Sequence, residues 1–189
     1  NTADDIPVLF FKPACALVPV AKQIKVPDYS PCYYEVELAI LIGSKLHRAD
    51  ENNVKQGIAG YAVALDLTLK ELLDDLKQKG RPWEMAKAFE GACPISPFVR
   101  PDRLSHPIDT NIQLSINGQV RQKASTGLMI RNPFELVSLI SQYFTLYPGD
   151  VVLTGTPAGG GLLPYEASLT ITLNDCYEFQ TTVQAVSRG

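Results

Sequence analysis

Residues 33–43 read YYEVELAILIG: two glutamates separated by one valine, then a run in which every position is apolar or glycine. A strand sends residues i and i+2 to the same face, so Glu35 and Glu37 stand side by side at its mouth. Leu38, Ala39, Ile40, Leu41 and Ile42 follow without polar alternation, which is the pattern of a strand buried on both faces. Two like charges at the border of a core are costly unless the pair shares a proton or a cation keeps both ionised. A plainer reading is an edge strand whose glutamates face water, and the segment by itself leaves these readings open.

Outward from that strand the pattern stays mostly β. IAGYAVALDLT, residues 58–68, predicts a second buried strand running straight into a helix. There Thr68 and Glu71 form a capping box, and Leu69, Leu72, Leu73 and Leu76 make one apolar stripe that Gly80 and Pro82 end. IQLSI and QVRQK flank Asn117-Gly118, a strong hairpin signal, and SLTITL with YEFQTTVQAV forms another across Asn174-Asp175. Asn132, Pro133 and Glu135 open a helix in RNPFELVSLISQYF, and DVVLTGT is a further strand after Pro148-Gly149. PVLFFKP and ACALVPV, interrupted by Pro13 and Pro19, read as short strands joined by tight bends. The expectation is a mainly β chain with short helices, α+β in class, forming one domain over residues 1–189.

Composition narrows the partners. A net charge of -3 and a pI near 5.4 argue against a nucleic-acid groove and leave small molecules as the expected ligands. The apolar runs are too short to cross a bilayer, and NTADDIPVLFF lacks the basic start of a signal peptide, so no membrane partner is expected. Cys15, Cys32, Cys93 and Cys176 are scattered without a Cys-x-x-Cys pair, which suggests reduced thiols and a cytoplasmic setting. His47 and His106 lie far apart in polar, loop-like stretches, which favours neither a zinc site nor a catalytic triad.

The chemistry is carried by carboxylates. Ala62, Ala64 and Asp66 share a strand face, so Asp66 extends over small side chains that leave room beside it, although an aspartate at a strand-to-helix bend also serves as a simple cap. Together Glu35, Glu37 and Asp66 offer three hard oxygen donors from strand ends, suited to magnesium, manganese or calcium. Such a centre keeps a residual negative charge, and an anionic ligand then needs cations nearby. Lys70, a helical turn past Asp66, and Lys87, in the partly apolar RPWEMAKAFEGACP, are the candidates, with snorkelling surface lysines as the alternative. LTGTPAGGG, residues 153–161, ends a strand in a loop where Gly155 and Thr156 expose backbone N–H groups and a hydroxyl to a carboxylate or enolate oxygen. The loop lacks the lysine and spacing of a phosphate loop.

Taken together, YYEVELAILIG, GYAVALDLT, RPWEMAKAFEGACPISPFV, NGQVRQ, YPGDVVLTGTPAGGG and PVLFFKP resemble the fumarylacetoacetate hydrolase superfamily, especially its acylpyruvase and oxaloacetate decarboxylase-like members. The resemblance runs from about residue 7 to the C-terminus. It implies a mixed β-sandwich roll, a homodimer, and Mg2+ or Mn2+ held at Glu35, Glu37 and Asp66. It also implies Lys87 as the active-site lysine and Thr156 as the contact to a substrate carboxylate. The implied activity is cleavage or decarboxylation of small 2-oxo acids such as fumarylpyruvate, acetylpyruvate or oxaloacetate, with charge drawn off as a pyruvate enolate leaves. Two departures bear on this. Hydrolytic relatives carry arginine and glutamine where this chain has Lys70 and Leu73, and they carry a His-x-x-Glu pair on a lid preceding the PVLFFKP segment. The expectation is that such a lid lies outside residues 1–189, Asn1 being the remnant of its lead-in. Isomerisation or hydration of dienoic acids is the rival on the same fold, and a non-catalytic calcium site is the rival of another class.

Overall fold

β3 (Cys32–Ile42) and β4 (Ile58–Leu69) form the centre of the molecule, antiparallel, with Glu35 opposite Asp66 and Glu37 opposite Ala64. The structure, a computed structural model, describes residues 7–21, 23–104 and 106–187. In chain order the remaining elements are β1 (Leu17–Pro19), β2 (Ile24–Pro27), α1 (Glu51–Gly57), α2 (Lys70–Gln78), α3 (Glu84–Lys87), β5 (Cys93–Ile95), β6 (Asn111–Ile116), β7 (Gln119–Ser125), α4 (Pro133–Tyr143), β8 (Val151–Leu153), β9 (Gly161–Leu162), β10 (Ser168–Leu173) and β11 (Tyr177–Val186). One sheet runs β1-β5-β4-β3-β8, with β9 also on β3, and the other runs β2-β11-β10-β6-β7. Each is mixed: β1 lies parallel to β5 and β2 parallel to β11, while the other pairs are antiparallel. The chain is therefore mainly β, of α+β class, with short helices.

The central strands are buried on both faces, yet period two still sorts their side chains. Val36, Leu38, Ile40 and Ile42 of β3 join Val63, Leu65, Leu67 and Leu69 of β4 in the main core, with Ile112 and Leu114 of β6 and Leu169 and Ile171 of β10. Each such side chain contributes roughly 1.5–3 kcal/mol on burial, so a slip of one residue that turned the glutamates inward is strongly disfavoured. The opposite face carries small groups instead, with Ala39, Ala62 and Ala64 packed on Cys93 and Ile95. Glu35, Glu37, Asp66 and Thr68 extend that face toward one end of the sheet.

Turn chemistry accounts for the outer elements. Asn117 and Gly118 join β6 to β7, and Asn174 and Asp175 join β10 to β11, each residue with positive φ as a primed turn requires. The Asn132 side chain accepts hydrogen bonds from the N–H groups of Phe134 and Glu135 and caps α4. Two expectations are corrected. β4 extends through Leu69, so Thr68 is a buried strand residue and α2 starts without a side-chain cap. PVLFFKP is no strand: residues 7–13 are irregular and lead into a 3-10 turn at Ala14–Ala16 before β1. That segment is tied down by the Lys12 side chain rather than by a ladder, its ammonium donating to the carbonyl oxygens of Leu67, Lys87 and Ala92. Among the described residues no helix is long and apolar enough to cross a membrane. The expected lead-in at Asn1 falls outside the described residues.

Candidate metal centre

Antiparallel pairing of Glu35 with Asp66 brings the three carboxylates together: Glu35, Glu37 and Asp66 each offer an oxygen within 4.8 Å of the others. Glu37 and Asp66 are buried, whereas the Glu35 side chain is 42% exposed and opens the cluster to solvent. Burial, then the neighbouring Asp66 and Glu35, push Glu37 up to about 8, although the Gly155 N–H and Lys87 favour its charged form.

Two ammonium groups stand behind Asp66. Lys87, at the end of α3 and itself buried, donates to Asp66 Oδ2 and, at 2.7 Å, to Thr68 Oγ1, and its Nζ lies 3.7 Å from Glu35 Oε2. The hydroxyl expected to cap a helix thus holds the lysine. Lys12 lies 2.8 Å from Asp66 Oδ1 but off the line of a hydrogen bond, so this buried oxygen accepts none. A buried carboxylate oxygen without a hydrogen bond, next to a glutamate that burial disfavours as an anion, fits a hard divalent cation. The three side chains are the donors such an ion takes.

A loop closes the other side. Along its outer edge β3 pairs with β9 at Tyr33 and Tyr34 and with β8 from Ala39 to Leu41, which leaves the stretch bearing Glu35 and Glu37 without a strand neighbour on that edge. Side chains fill the gap. The Val36 N–H donates to Gln122 Oε1 at 3.0 Å, and the Val36 carbonyl accepts the Thr156 hydroxyl at 2.7 Å. Leu38 O accepts from both the N–H and the hydroxyl of Thr154, each at 3.0 Å. The Gly155 N–H then reaches Glu37 Oε2 at 2.7 Å, an aim that its φ of +85° provides. Residues 154–157 line a cleft of ≈ 1130 Å³ together with Lys12, Glu37 and Asp66.

Of the residues singled out in the sequence, the structure gathers Glu35, Glu37, Asp66, Lys87, Gly155 and Thr156 at one place. Lys70 stands apart: it is half-exposed on α2 and paired at 2.5 Å with Asp74, one turn along the same helix. The described histidines are also elsewhere, His47 exposed with Nδ1 3.1 Å from Thr145 Oγ1, and His106 exposed in a loop. Lys12 and Gln122 were missed. Each sits in a stretch that carried the family resemblance, but neither spacing nor charge pattern marks them, because both reach the site from elements remote in sequence. All four cysteines are free, and burial pushes Cys32 and Cys93 up to about 12, leaving these two thiols inert.

Three strand-borne carboxylates, a buried lysine against them and a glycine-rich loop over an open cleft define a metal-binding enzyme of the α+β class. The chain belongs to the fumarylacetoacetate hydrolase family: residues 1–186 match the family described as fumarylacetoacetate (FAA) hydrolase C-terminal. It is 45% identical over 170 residues to the oxaloacetate tautomerase YcgM of Escherichia coli K12, covering 89% of this chain and 78% of that protein. The human mitochondrial oxaloacetate tautomerase FAHD1 is 37% identical over 156 residues, 82% of this chain and 71% of its own length. Among solved structures, fumarylpyruvate hydrolase from Pseudomonas aeruginosa in complex with Mn2+ and pyruvate superposes with a TM-score of 0.90 at 32% identity, covering 97% of this chain and 81% of that one.

Proposed function

We propose that this chain interconverts the enol and keto forms of oxaloacetate, a short 2-oxo dicarboxylate, using a divalent cation, Mg2+ or Mn2+, bound by Glu35, Glu37 and Asp66. The observation that carries the reading is the Lys87 ammonium, buried between Asp66 and Thr68 and facing Glu35. Tautomerisation moves a proton from the enol oxygen to the adjacent carbon, so it needs a placed acid and base and no attacking water. Lys87 is the group that gives and recovers the proton. The bound cation supplies a Lewis acid that polarises the 2-oxo oxygen. Because the Thr156 hydroxyl is spent on Val36, its backbone N–H, which has no partner among the described residues, is the donor offered to the substrate carboxylate. The tautomerase names of the relatives from E. coli and human support the substrate.

A second reading, cleavage of an acylpyruvate or decarboxylation of oxaloacetate, uses the same groups to protonate a pyruvate enolate. It is favoured by the likeness to the fumarylpyruvate hydrolase complex with Mn2+ and pyruvate. The homodimer implied by the family resemblance belongs to the proposal as well; the exposed Phe10, Phe11, Leu128, Ile130 and Tyr143 around the cleft give it apolar surface to cover. Following the enol absorbance of oxaloacetate while assaying pyruvate separates the reactions. Tautomerase activity removes enol absorbance in a metal-dependent way, with pyruvate lagging far behind. Pyruvate released in step with enol loss makes the chain a decarboxylase, and no acceleration by either ion defeats both readings.

A further inference from the structure

Val36 lies between the two glutamates of the metal centre, is fully buried, and has no strand beside its outward N–H and C=O. Both groups are met by a ring of three hydrogen bonds whose direction is fixed. The Val36 N–H can only donate, so the amide atom facing it at 3.0 Å is Gln122 Oε1, and the Gln122 NH2 is thereby turned toward Thr156. The Val36 carbonyl can only accept, so the Thr156 hydroxyl gives it its proton at 2.7 Å. The Thr156 oxygen is left to accept from Gln122 Nε2 at 2.6 Å, and Nε2 also reaches the Pro157 carbonyl at 3.3 Å. No member of the ring can reverse without stranding a buried polar group. Gln122 comes from β7 in the opposite sheet and is 2% exposed, so its rotamer is set by packing as well as by these bonds. Gly159 packs on its stem, where a Cβ would come within 3.0 Å of Gln122 Cγ.

We propose that Gln122 is a positioning residue for the metal centre: acting through Thr156, it locks the Val36 peptide to residues 154–157, so that Glu35, Glu37 and the amides of Gly155 and Thr156 keep one mutual geometry. This rests on the reading of Glu35, Glu37 and Asp66 as metal ligands. Its consequence is that a side chain that approaches neither the carboxylate cluster nor the lysines by any hydrogen bond governs metal affinity. It also fixes which Thr156 donor is left for a substrate, because the hydroxyl proton is committed to Val36 O, whereas the N–H has no partner among the described residues.

The test is Mn2+ affinity, measured by calorimetry and by electron paramagnetic resonance of the free ion, alongside the melting temperature in chelator and the split of KM against kcat with oxaloacetate. Gln122→Met keeps the length and apolar stem and removes all three bonds made by the amide. It is expected to weaken Mn2+ binding at least tenfold and to raise KM more than it lowers kcat. Thr156→Val breaks the same ring from the other side and is expected to cost as much, whereas Thr156→Ser restores binding. The double variant Gln122→Met/Thr156→Val is expected to bind no more weakly than the weaker single variant, since each removes the same lock. Should Gln122→Met fail to fold, the Thr156→Val loss and Thr156→Ser rescue decide the matter alone. Mn2+ affinity within twofold of the parent in Gln122→Met or Thr156→Val, or additive losses in the double variant, overturns the positioning role while leaving the metal site intact. A parent protein that binds no Mn2+ overturns the metal reading itself.

Discussion

At the scale of single residues, Glu37 sets the pH behaviour. Its carboxyl is pushed up to about 8 in the folded chain, first by burial and then by Asp66, against an ordinary value of 4.5. Between those two values the metal-free folded chain holds a proton that the unfolded chain has released. The sign follows: the stability from this group is fully present below about 4.5 and is lost as pH rises toward 8. In chelator, melting temperature is expected to fall across that window, and Glu37→Gln, which cannot ionise, is expected to flatten the slope; equal slopes for the two proteins contradict the assignment. Lys87 is the residue proposed for turnover. Lys87→Met removes the proton carrier but none of the three proposed ligands, so kcat is expected to drop by roughly 10²–10⁴-fold while Mn2+ still binds. A kcat within threefold of the parent, measured at saturating ion, assigns the proton to some other group.

At the scale of elements, the glycine-rich loop is fitted to β3 so closely that one methyl tests it. A Cβ at Gly160 would sit 2.9 Å from Tyr34 O and 3.0 Å from Glu35 Cγ, a backbone atom and the stem of a proposed ligand, so the loop must shift. Gly160→Ala is therefore expected to lift the loop, lower the melting temperature and weaken Mn2+ binding at least tenfold; unchanged affinity means that the loop does not govern the site. Asn132→Ala, by contrast, removes the cap of α4 and is expected to cost about 1 kcal/mol of stability with kcat/KM unchanged, as denaturant unfolding and a parallel assay will show. These elements differ in how plainly the sequence announces them. β3, β4, both hairpins and α4 were legible because period-two burial and turn chemistry are local signals, and the same period put Glu35, Glu37 and Asp66 on one face. Thr68 was misread because a capping box and a strand end use the same residues, and Lys87, far along the chain, decides between them. Lys12 and Gln122 left no local trace: one rides an irregular segment, the other the opposite sheet, and each gains meaning only when the sheets pack.

At the scale of the whole molecule, charge and metal binding join the fold to the reaction. Lys12 and Lys87 offset Glu35 and Asp66, and with Glu37 protonated, as burial favours in the metal-free chain, the empty cluster is neutral; a divalent ion bound with Glu37 ionised would leave it one charge positive. An anionic 2-oxo acid would therefore gain no net attraction from the empty cluster and would be drawn to the filled one, so metal is expected to bind first. Held by Glu35, Glu37 and Asp66, an ion would tie β3 to β4 and favour the ionised form of the buried Glu37, so it is expected to bind the folded chain and not the unfolded one. At a concentration of about 100 times its dissociation constant such a ligand adds roughly 2.7 kcal/mol to stability. For a chain of this size each kcal/mol moves the melting temperature by about 2–4 °C, so Mn2+ is expected to raise it by roughly 5–11 °C over chelator. Asp66→Asn, which removes one charge and breaks the pairing with both lysines, is expected to abolish the shift. A parent protein that melts at one temperature with or without the ion would leave the carboxylates as a structural ion-pair cluster, and the proposed proton transfer would lose its metal.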